Sequence, residues 1–222
     1  LTIGGVTMSW LVVGLSLRGI VLSCMVLAWA VRLGRFLFRR VQEVGKDARF
    51  DSIKPNGPQF FMAWTLQATW VFVSICPLLV VLSQPSVNTA IGKLDLVGWI
   101  CWLVGFGVEV IADHQKTMFR RRHPEGERWI DEGLWSMAQH PNYGGEILLW
   151  IGIFISSASV LAGAQWLVIL SPAFVIFTLV GMSGIPMIRQ RNHAKWGSDP
   201  AYLAYLGRTH LLVPWPGQSN SG

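Results

Sequence analysis

The chain has 222 residues, of which 52% are hydrophobic and only 14% are charged, and its mean hydropathy is +0.44. This composition excludes an ordinary water-soluble domain, because such domains carry about 25% charged residues. The formal net charge of +6 and the sequence pI of about 9.7 leave two classes open, a nucleic-acid-binding protein and a membrane protein with a basic surface.

Apolar runs recur along the chain at close to the ~20 residues that a helix needs to cross a bilayer. Five of them lie at residues 19–38, 59–83, 94–112, 145–163 and 166–186, and a shorter sixth run occupies residues 2–17. The sequence therefore predicts an all-α, polytopic transmembrane helix bundle with about six spans. The first run is short and begins at Leu1 rather than Met, so we expect the natural chain to extend upstream.

Basic residues cluster on one side of the predicted membrane, which the positive-inside rule makes the cytosolic side. They follow the second run, fill the connection at residues 113–143 and recur in the C-terminal tail. Because these residues flank membrane spans and no nucleic-acid-binding fold signature accompanies them, we predict no nucleic-acid partner. Membrane lipid with anionic headgroups is the expected partner of this basic surface.

The cysteines and histidines show no metal-ligand spacing. Cys24, Cys76 and Cys101 lie in separate apolar runs, no CxxC occurs, and no HExxH joins the histidines. The sequence therefore predicts no metal site. It also contains no internal repeat and no long linker, so we predict a single membrane domain over residues 1–222, with residues 113–216 the most motif-rich part.

A polar stripe marks the end of the run at residues 94–112. Glu109, Asp113 and Lys116 recur at helical spacing, and the stripe continues to Arg120. One interpretation is ion pairing that solubilises a helix end. The other is a functional site, because Glu109 lies deep enough in the predicted span to need an internal partner.

The segment at residues 129–150 places polar residues at the mouth of an apolar helix. Pro141 favours extended geometry at His140, and Asn142 is predicted to cap the helix that runs through Glu146. A helix N-terminus flanked by basic segments suits a phosphate or carboxylate group. The pattern predicts an anionic ligand at the cytosolic face. The indoles that precede this helix, Trp129 and Trp135, are interpreted as interfacial anchors.

Spaced motifs extend over residues 25–216. They read D-x-Q-K at 113–116, W-I-x-x-G-L-W at 129–135, H-P-N-Y-x-G-E-I at 140–147 and K-W-G-x-D-P-A-Y at 195–202. This set resembles the C-terminal domain of the steroid 5-alpha-reductase-type membrane proteins. Upstream, W-A-V-R-L-G at 29–34 and G-K-D-A-R-F at 45–50 resemble the bacterial and fungal branch of that family.

The resemblance implies a seven-helix bundle that binds NADPH from the cytosolic side. It also implies an oxidoreductase that reduces a carbon–carbon double bond conjugated to a carbonyl, in an apolar steroid-like or lipid-like substrate. No GxGxxG is present, so no Rossmann domain is implied. Carried over position by position, the implied cofactor-binding residues are Arg32, Asp113, Arg120, His140, Asn142, Tyr143 and Glu146.

The chain also departs from the resembled family. Trp29 stands where the reductases place a tyrosine, and residues 1–31 contain no acid to match their early catalytic glutamate. No catalytic residue is therefore identified. Gln139 stands where the branch usually has Arg, and Arg189 where it usually has Glu, so we expect part of the pocket to differ.

Two alternative functions remain open. Isoprenylcysteine carboxyl methyltransferases and phospholipid methyltransferases carry a similar motif near their cofactor, S-adenosylmethionine, and are also small helical membrane enzymes. The other alternative is a non-catalytic relative that binds lipid or nucleotide. The resemblance to the fungal branch favours the endoplasmic reticulum over a bacterial inner membrane as the location of this multi-pass protein.

Overall fold

The computed structural model describes residues 16–44, 55–84 and 90–215. Within these ranges the regular structure is helical and contains no strand, which confirms the predicted all-α class. Short 3-10 helices occupy Gly133–Ser136 and Gly163–Ile169, and a π-helix occupies Phe177–Met182. The α-helices are α1 (Leu17–Val44), α2 (Gly57–Ser83), α3 (Lys93–Arg122), α4 (Pro141–Ala158), α5 (Leu170–Ile176), α6 (Ile185–Trp196) and α7 (Pro200–Arg208).

Four helical stretches among the described residues are long and apolar enough to cross a membrane, namely Leu17–Arg39, Gly57–Ser83, Lys93–Arg122 and Gly163–Trp196. They contain four of the six predicted runs and indicate a multi-pass integral membrane protein.

The other two predicted runs differ in outcome. The run at 145–163 lies mostly on α4, which is not among the four stretches because polar residues begin and end that helix. The run at 2–17 lies almost wholly outside the described residues.

The chain divides into two compact units. The first comprises Leu1–Gly98 with Ile153–Ser171, and the second comprises Trp99–Gly152 with Pro172–Gly222. Helices α3 and α4 each contribute residues to both units. The prediction of a single membrane domain stays a prediction.

A buried ion pair connects separate segments within the first unit. The side chains of Arg18 and Asp95 are 2% and 0% exposed, and Arg18 Nε donates to Asp95 Oδ1 at 2.6 Å. The same carboxylate accepts from Ser156 Oγ at 2.8 Å and from the backbone N–H of Gly92 at 2.9 Å. A buried charge is tolerated only when it is paired and hydrogen-bonded in this way. The pair therefore fixes the start of α1 against the start of α3 and the end of α4.

The apolar core of the first unit lies between α1 and α2. Leu22, Val26 and Trp29 form one buried stripe at helical spacing on α1. The Trp29 ring is buried and lies 5.7 Å from the ring of Trp70 on α2, centroid to centroid. Trp29 is therefore a packing residue in this unit.

In the second unit, α3 and α4 approach so closely that glycine is required at their contact. A Cβ atom on Gly105 would lie 2.6 Å from the carbonyl oxygen of Gly145 and 2.6 Å from the N atom of Leu149. A Cβ atom on Gly145 would lie 2.5 Å from the carbonyl oxygen of Gly105. Small residues allow this backbone contact in membrane helices. The contact fixes the register of α3 against α4.

We predict that Gly105→Ala lowers the thermal stability of the detergent-purified protein, because the added methyl group forces two backbones apart. Overpacking of this kind costs about 1–3 kcal/mol. Gly107→Ala on the same helix is the matched control, since nothing lies within 4 Å of its Cβ position. It should be neutral or stabilising, as alanine favours a helix. Equal melting temperatures for the two variants would show that the crossing is not tightly packed.

Candidate functional site

The crossing of α3 and α4 brings Asp113 and Asn142 together. Asn142 Nδ2 donates to Asp113 Oδ1 at 3.1 Å, although the two residues are 29 positions apart. The predicted N-cap role of Asn142 is wrong, because α4 begins at Pro141 and places Asn142 inside its first turn. Proline suits the first helical position, because an N–H group at that position would have no acceptor within the helix. The Asn142 amide is thereby directed at α3.

The C-terminal segment holds the start of α4 in place. The backbone N–H groups of Gln139 and His140 donate to the carbonyl oxygens of His210 and Leu211 at 2.8 and 3.0 Å. Gly144 lies so close to this segment that a Cβ atom on it would be 2.3 Å from the carbonyl oxygen of Leu212. Residues 210–212 are therefore part of the structure that positions the first turn of α4.

Buried and half-buried hydrogen bonds fix the connection between α3 and α4. Trp135 Nε1 donates to the carbonyl oxygen of Ala112, and the N–H of Leu134 donates to Gln115 Oε1, both at 3.0 Å. The Tyr205 hydroxyl donates to the carbonyl oxygen of Trp135 at 2.9 Å, and burial raises the pKa of Tyr205 above its usual range. The interpretation of Trp135 as an interfacial anchor is wrong, because its indole is buried and hydrogen-bonded to α3.

A cavity of about 390 Å³ opens in the second unit, between the end of α3, the connection that follows it, α6 and α7. All of its lining residues are described by the structure, and none of them is acidic. The lining combines positive charge with aromatic faces. The cations are Lys116, Arg120, Arg128, Arg189, Arg191 and Lys195, and the aromatic residues are Phe119, Trp129, Trp135, Trp196, Tyr202 and Tyr205.

This lining suits an anionic ligand with a planar ring. Arginine and lysine bind phosphate and carboxylate groups through charge-assisted hydrogen bonds. Aromatic faces stack on nucleobases. The Trp129 ring lies 5.2 Å from the Tyr202 ring and 6.1 Å from the Trp196 ring, centroid to centroid, so these three residues form one aromatic cluster.

Gln139 and Arg189, the two positions at which the chain departs from the resembled branch, contact each other. Arg189 Nη2 lies 3.5 Å from Gln139 Oε1, within hydrogen-bond distance. Gln139 is buried, and its Nε2 donates to the carbonyl oxygens of Leu206 and Thr209 at 3.2 and 3.3 Å. The two departures from the resembled branch therefore lie at one point of the cavity wall.

His140 borders the cavity as a neutral imidazole. Its ring stacks on the Tyr143 ring at 5.7 Å between centroids and an angle of 17°. Burial, followed by the positive charges of Lys116 and Arg189, lowers the pKa of His140 from 6.5 to about 3. The ring therefore carries no charge at neutral pH, and it can donate or accept a hydrogen bond.

Two buried polar atoms near these features lack a hydrogen-bond partner among the described residues. They are Asn142 Oδ1 and Trp129 Nε1. Buried polar atoms are nearly always satisfied, and each exception calls for an explanation such as a bound ligand. One acceptor beside Asp113 and one donor in the cavity are therefore open to a ligand.

The structure brings several predicted site residues together in the second unit. Asp113 and Asn142 are bonded, His140 and Arg120 line the cavity, and Tyr143 stacks on His140. Glu146 lies one helical turn after Asn142 on α4 and is half-buried. The seventh residue, Arg32, belongs to the first unit, where its guanidinium lies 5.7 Å from the Phe36 ring.

Sequence reasoning placed Arg189 in a pocket but did not identify the aromatic cluster, or Arg191 and Lys195 on α6, as parts of a site. Tyr202 and Tyr205, three positions apart on α7, share one helix face, and that spacing was the available signal. Trp129 was interpreted as an interfacial anchor, but it packs within this cluster and lines the cavity.

The low pKa of His140 predicts a pH dependence of stability. The unfolded chain binds a proton at His140 below about pH 6.5, whereas the folded chain does so only near pH 3. Acidification from pH 7 to pH 5 should therefore favour unfolding, by about 2 kcal/mol from this residue. His140→Gln should flatten the fall in melting temperature over that interval. An identical pH profile for wild type and variant would contradict a neutral, buried His140.

Comparison with known proteins identifies the family. The family model described as "Protein of unknown function (DUF1295)" matches residues 1–209. The match covers most of the chain, so the protein belongs to the DUF1295 family.

Curated relatives are similar over part of the chain. The 3-oxo-5-alpha-steroid 4-dehydrogenase 1 of Mus musculus is 30% identical over 120 residues, which are 54% of this chain and 42% of that protein. The protein of the same name from Homo sapiens is 32% identical over 101 residues, or 46% of this chain and 34% of its own length. The matched segment thus spans less than half of each relative. No solved structure matches the chain.

Proposed function

We propose that this DUF1295 protein is a membrane-embedded reductase that binds NADPH beside the crossing of α3 and α4. Its substrate would be an apolar, steroid-like or lipid-like molecule with a carbon–carbon double bond conjugated to a carbonyl. Three features support this proposal: the apolar spanning helices, the similarity to 3-oxo-5-alpha-steroid 4-dehydrogenase 1, and the polar site of the second unit.

The Asp113–Asn142 pair is the observation on which the proposal mainly rests. Asn142 Nδ2 donates to Asp113, whereas the buried Oδ1 of the same Asn142 amide has no hydrogen-bond partner among the described residues. That oxygen can accept a hydrogen bond from a ribose hydroxyl or from a carboxamide, groups that a nicotinamide dinucleotide carries. The pair thus provides a preoriented acceptor next to a carboxylate.

The cavity suits the phosphate-bearing part of the same ligand. Its cations match phosphate groups, its aromatic cluster matches an adenine ring, and its lining contains no acid to repel an anion. A volume of about 390 Å³ is less than that of a whole dinucleotide. The remainder would extend towards Asn142 and Glu146 at the start of α4.

NADPH would supply a hydride to the double bond, and the residues of the chain would bind the cofactor and orient it. His140 is neutral, so it adds no charge to the site and can hydrogen-bond either a donor or an acceptor. A bound cofactor would displace water from the half-buried Asp113–Asn142 pair, which would strengthen each polar contact with the cofactor. No described residue is assigned as the proton donor.

A second function is favoured by one observation on α1. Trp29, at the position of the family's tyrosine, is 2% exposed and packs on Trp70. An indole has no acidic hydroxyl with which to polarise a carbonyl. A membrane protein that binds the dinucleotide without reducing a substrate is therefore the second candidate.

We predict that Asn142→Ala weakens NADPH binding about fivefold, because one hydrogen bond contributes about 1 kcal/mol and its loss leaves Asp113 without the amide donor. Gln190→Ala, which removes an exposed amide on α6, is the matched control and should bind NADPH as the wild type does. Binding is measured by calorimetric titration of the detergent-purified protein. Unchanged affinity in Asn142→Ala would exclude the Asp113–Asn142 pair from the cofactor site.

A companion assay separates the two candidate functions. Membranes containing the protein are incubated with NADPH and a panel of enones that includes a 3-oxo-4-ene steroid, and the saturated product is detected by mass spectrometry. Formation of that product supports the reductase. NADPH binding with no product from any enone supports the non-catalytic function.

A further inference from the structure

The end of the α3 span marks the level at which the second unit leaves the membrane. The apolar run at residues 94–112 is close to the ~20 residues that cross a bilayer, and the sequence turns polar at Asp113. Up to this point, the exposed side chains of α3 in this unit are apolar, namely Ile100, Leu103, Val104, Val110 and Ile111. Beyond it they are His114, Arg120, Arg121 and Arg122, with Met118 as the apolar exception. The membrane boundary therefore lies near Asp113.

The first turn of α4 lies at the same level as this boundary. Asn142 Nδ2 donates to Asp113 Oδ1 at 3.1 Å, which fixes the start of α4 beside the end of the α3 span. From that turn the helix continues into the apolar sequence ILLWIGIFI at residues 147–155. The chain therefore approaches the membrane along residues 138–140 and enters it with α4.

The C-terminal segment follows the same course. His210 pairs with Ala138 in a parallel bridge, so the two stretches of chain run in the same direction. Two residues further on, the carbonyl oxygen of Leu212 lies against Gly144 in the first turn of α4. From His210 to Leu212 the segment therefore advances towards the membrane, alongside the chain that leads into α4.

The residues that follow this segment are apolar and exposed. Val213 is 62% exposed, and Trp215, at 69%, is the most exposed tryptophan among the described residues. The backbone N–H of Trp215 donates to the carbonyl oxygen of Val213 at 2.9 Å, so both side chains belong to one tight turn around Pro214. Two exposed apolar side chains thus lie next to each other at the level where the spans leave the bilayer.

The chemistry of an indole suits that level. Tryptophan is enriched where hydrocarbon meets water, because its ring is apolar and its N–H group can hydrogen-bond the lipid headgroups. The sequence predicted this role for Trp129 and Trp135, but the structure packs both of them within the protein. Trp215 has the same side chain, and its ring is exposed.

We propose that residues 210–215 form a membrane-surface anchor, in which Val213 and Trp215 sit in the phospholipid layer between the headgroups and the acyl chains. Phospholipid is the occupant that the position favours, because this turn lies at the same level as the end of the α3 span. The anchor does not depend on which ligand the cavity binds.

An anchor at this position would also hold the start of α4. The backbone N–H groups of Gln139 and His140 donate to the carbonyl oxygens of His210 and Leu211 at 2.8 and 3.0 Å. Terminal segments open locally at little cost unless they are tied down. Lipid contact just beyond these two hydrogen bonds would keep the segment in place and so protect both amides from exchange with solvent.

The lipid contact is tested on the full chain in phosphatidylcholine nanodiscs that contain a phospholipid with a photoreactive diazirine in the upper part of its acyl chain. After illumination and tryptic digestion, mass spectrometry locates the lipid adducts. We expect adducts on residues 213–215 and on peptide 94–116, which carries the exposed apolar face of α3 and is the positive control. Peptide 123–128, a polar turn beyond the end of α3, should show none above background.

The anchoring role is tested by hydrogen–deuterium exchange of the same nanodiscs. Trp215→Ser should raise the exchange rate of the Gln139 and His140 amides about tenfold, because the segment loses its largest apolar contact with lipid. Trp215→Tyr keeps an amphipathic ring and should retain most of the protection. Trp166→Ser is the matched control, since it removes an exposed indole from the first unit, and it should leave both amides unchanged.

Three results would overturn the proposal. One is adduct formation on peptide 94–116 without any on residues 213–215. The second is unchanged amide exchange in Trp215→Ser, which would show that the side chain touches lipid without anchoring the segment. The third is a change from dimer to monomer in Trp215→Ser, with no lipid adduct in the wild type, which would reassign the turn to a contact between two copies. None of these measurements uses NADPH, so the anchor and the proposed function can fail separately.

Discussion

The close crossing of α3 and α4 is the contact on which the site of the second unit depends. Gly105 and Gly145 remove the side chains that would hold the two backbones apart. The resulting register places Asn142 opposite Asp113, where the amide and the carboxylate bond at 3.1 Å. In lipid, helices associate through backbone proximity and polar contacts rather than through the hydrophobic effect. The same crossing thus stabilises the helix pair and assembles its polar site.

Contacts between distant parts of the chain complete the site. The tail at residues 210–212 hydrogen-bonds beside the start of α4, and α7 reaches the preceding connection through Tyr205. Gln139 joins that connection to the tail and to α6 through Arg189. The cavity is therefore built from elements far apart in sequence, and Gln139 contacts a side chain 50 positions away.

The sequence was sufficient to predict the all-α class and four of the spanning stretches, because length and apolar composition determine whether a helix can cross a bilayer. It also indicated Asp113 and Asn142, since polar residues at a membrane boundary are costly unless they have partners. Their direct bond could not be predicted, because helix register depends on packing at Gly105 and Gly145. The N-cap prediction for Asn142 failed because Pro141 occupies the first helical position.

A thermal-shift titration of the detergent-purified protein, with NADPH and S-adenosylmethionine run in parallel, tests most directly whether the protein binds NADPH. A ligand that binds only the folded state stabilises it by about 2.7 kcal/mol at a concentration of 100 times its Kd. We predict a melting temperature that rises with the logarithm of NADPH concentration and does not respond to S-adenosylmethionine. Stabilisation by S-adenosylmethionine alone would contradict the proposed reductase function and indicate a methyltransferase. No response to NADPH would contradict the proposed binding of this cofactor.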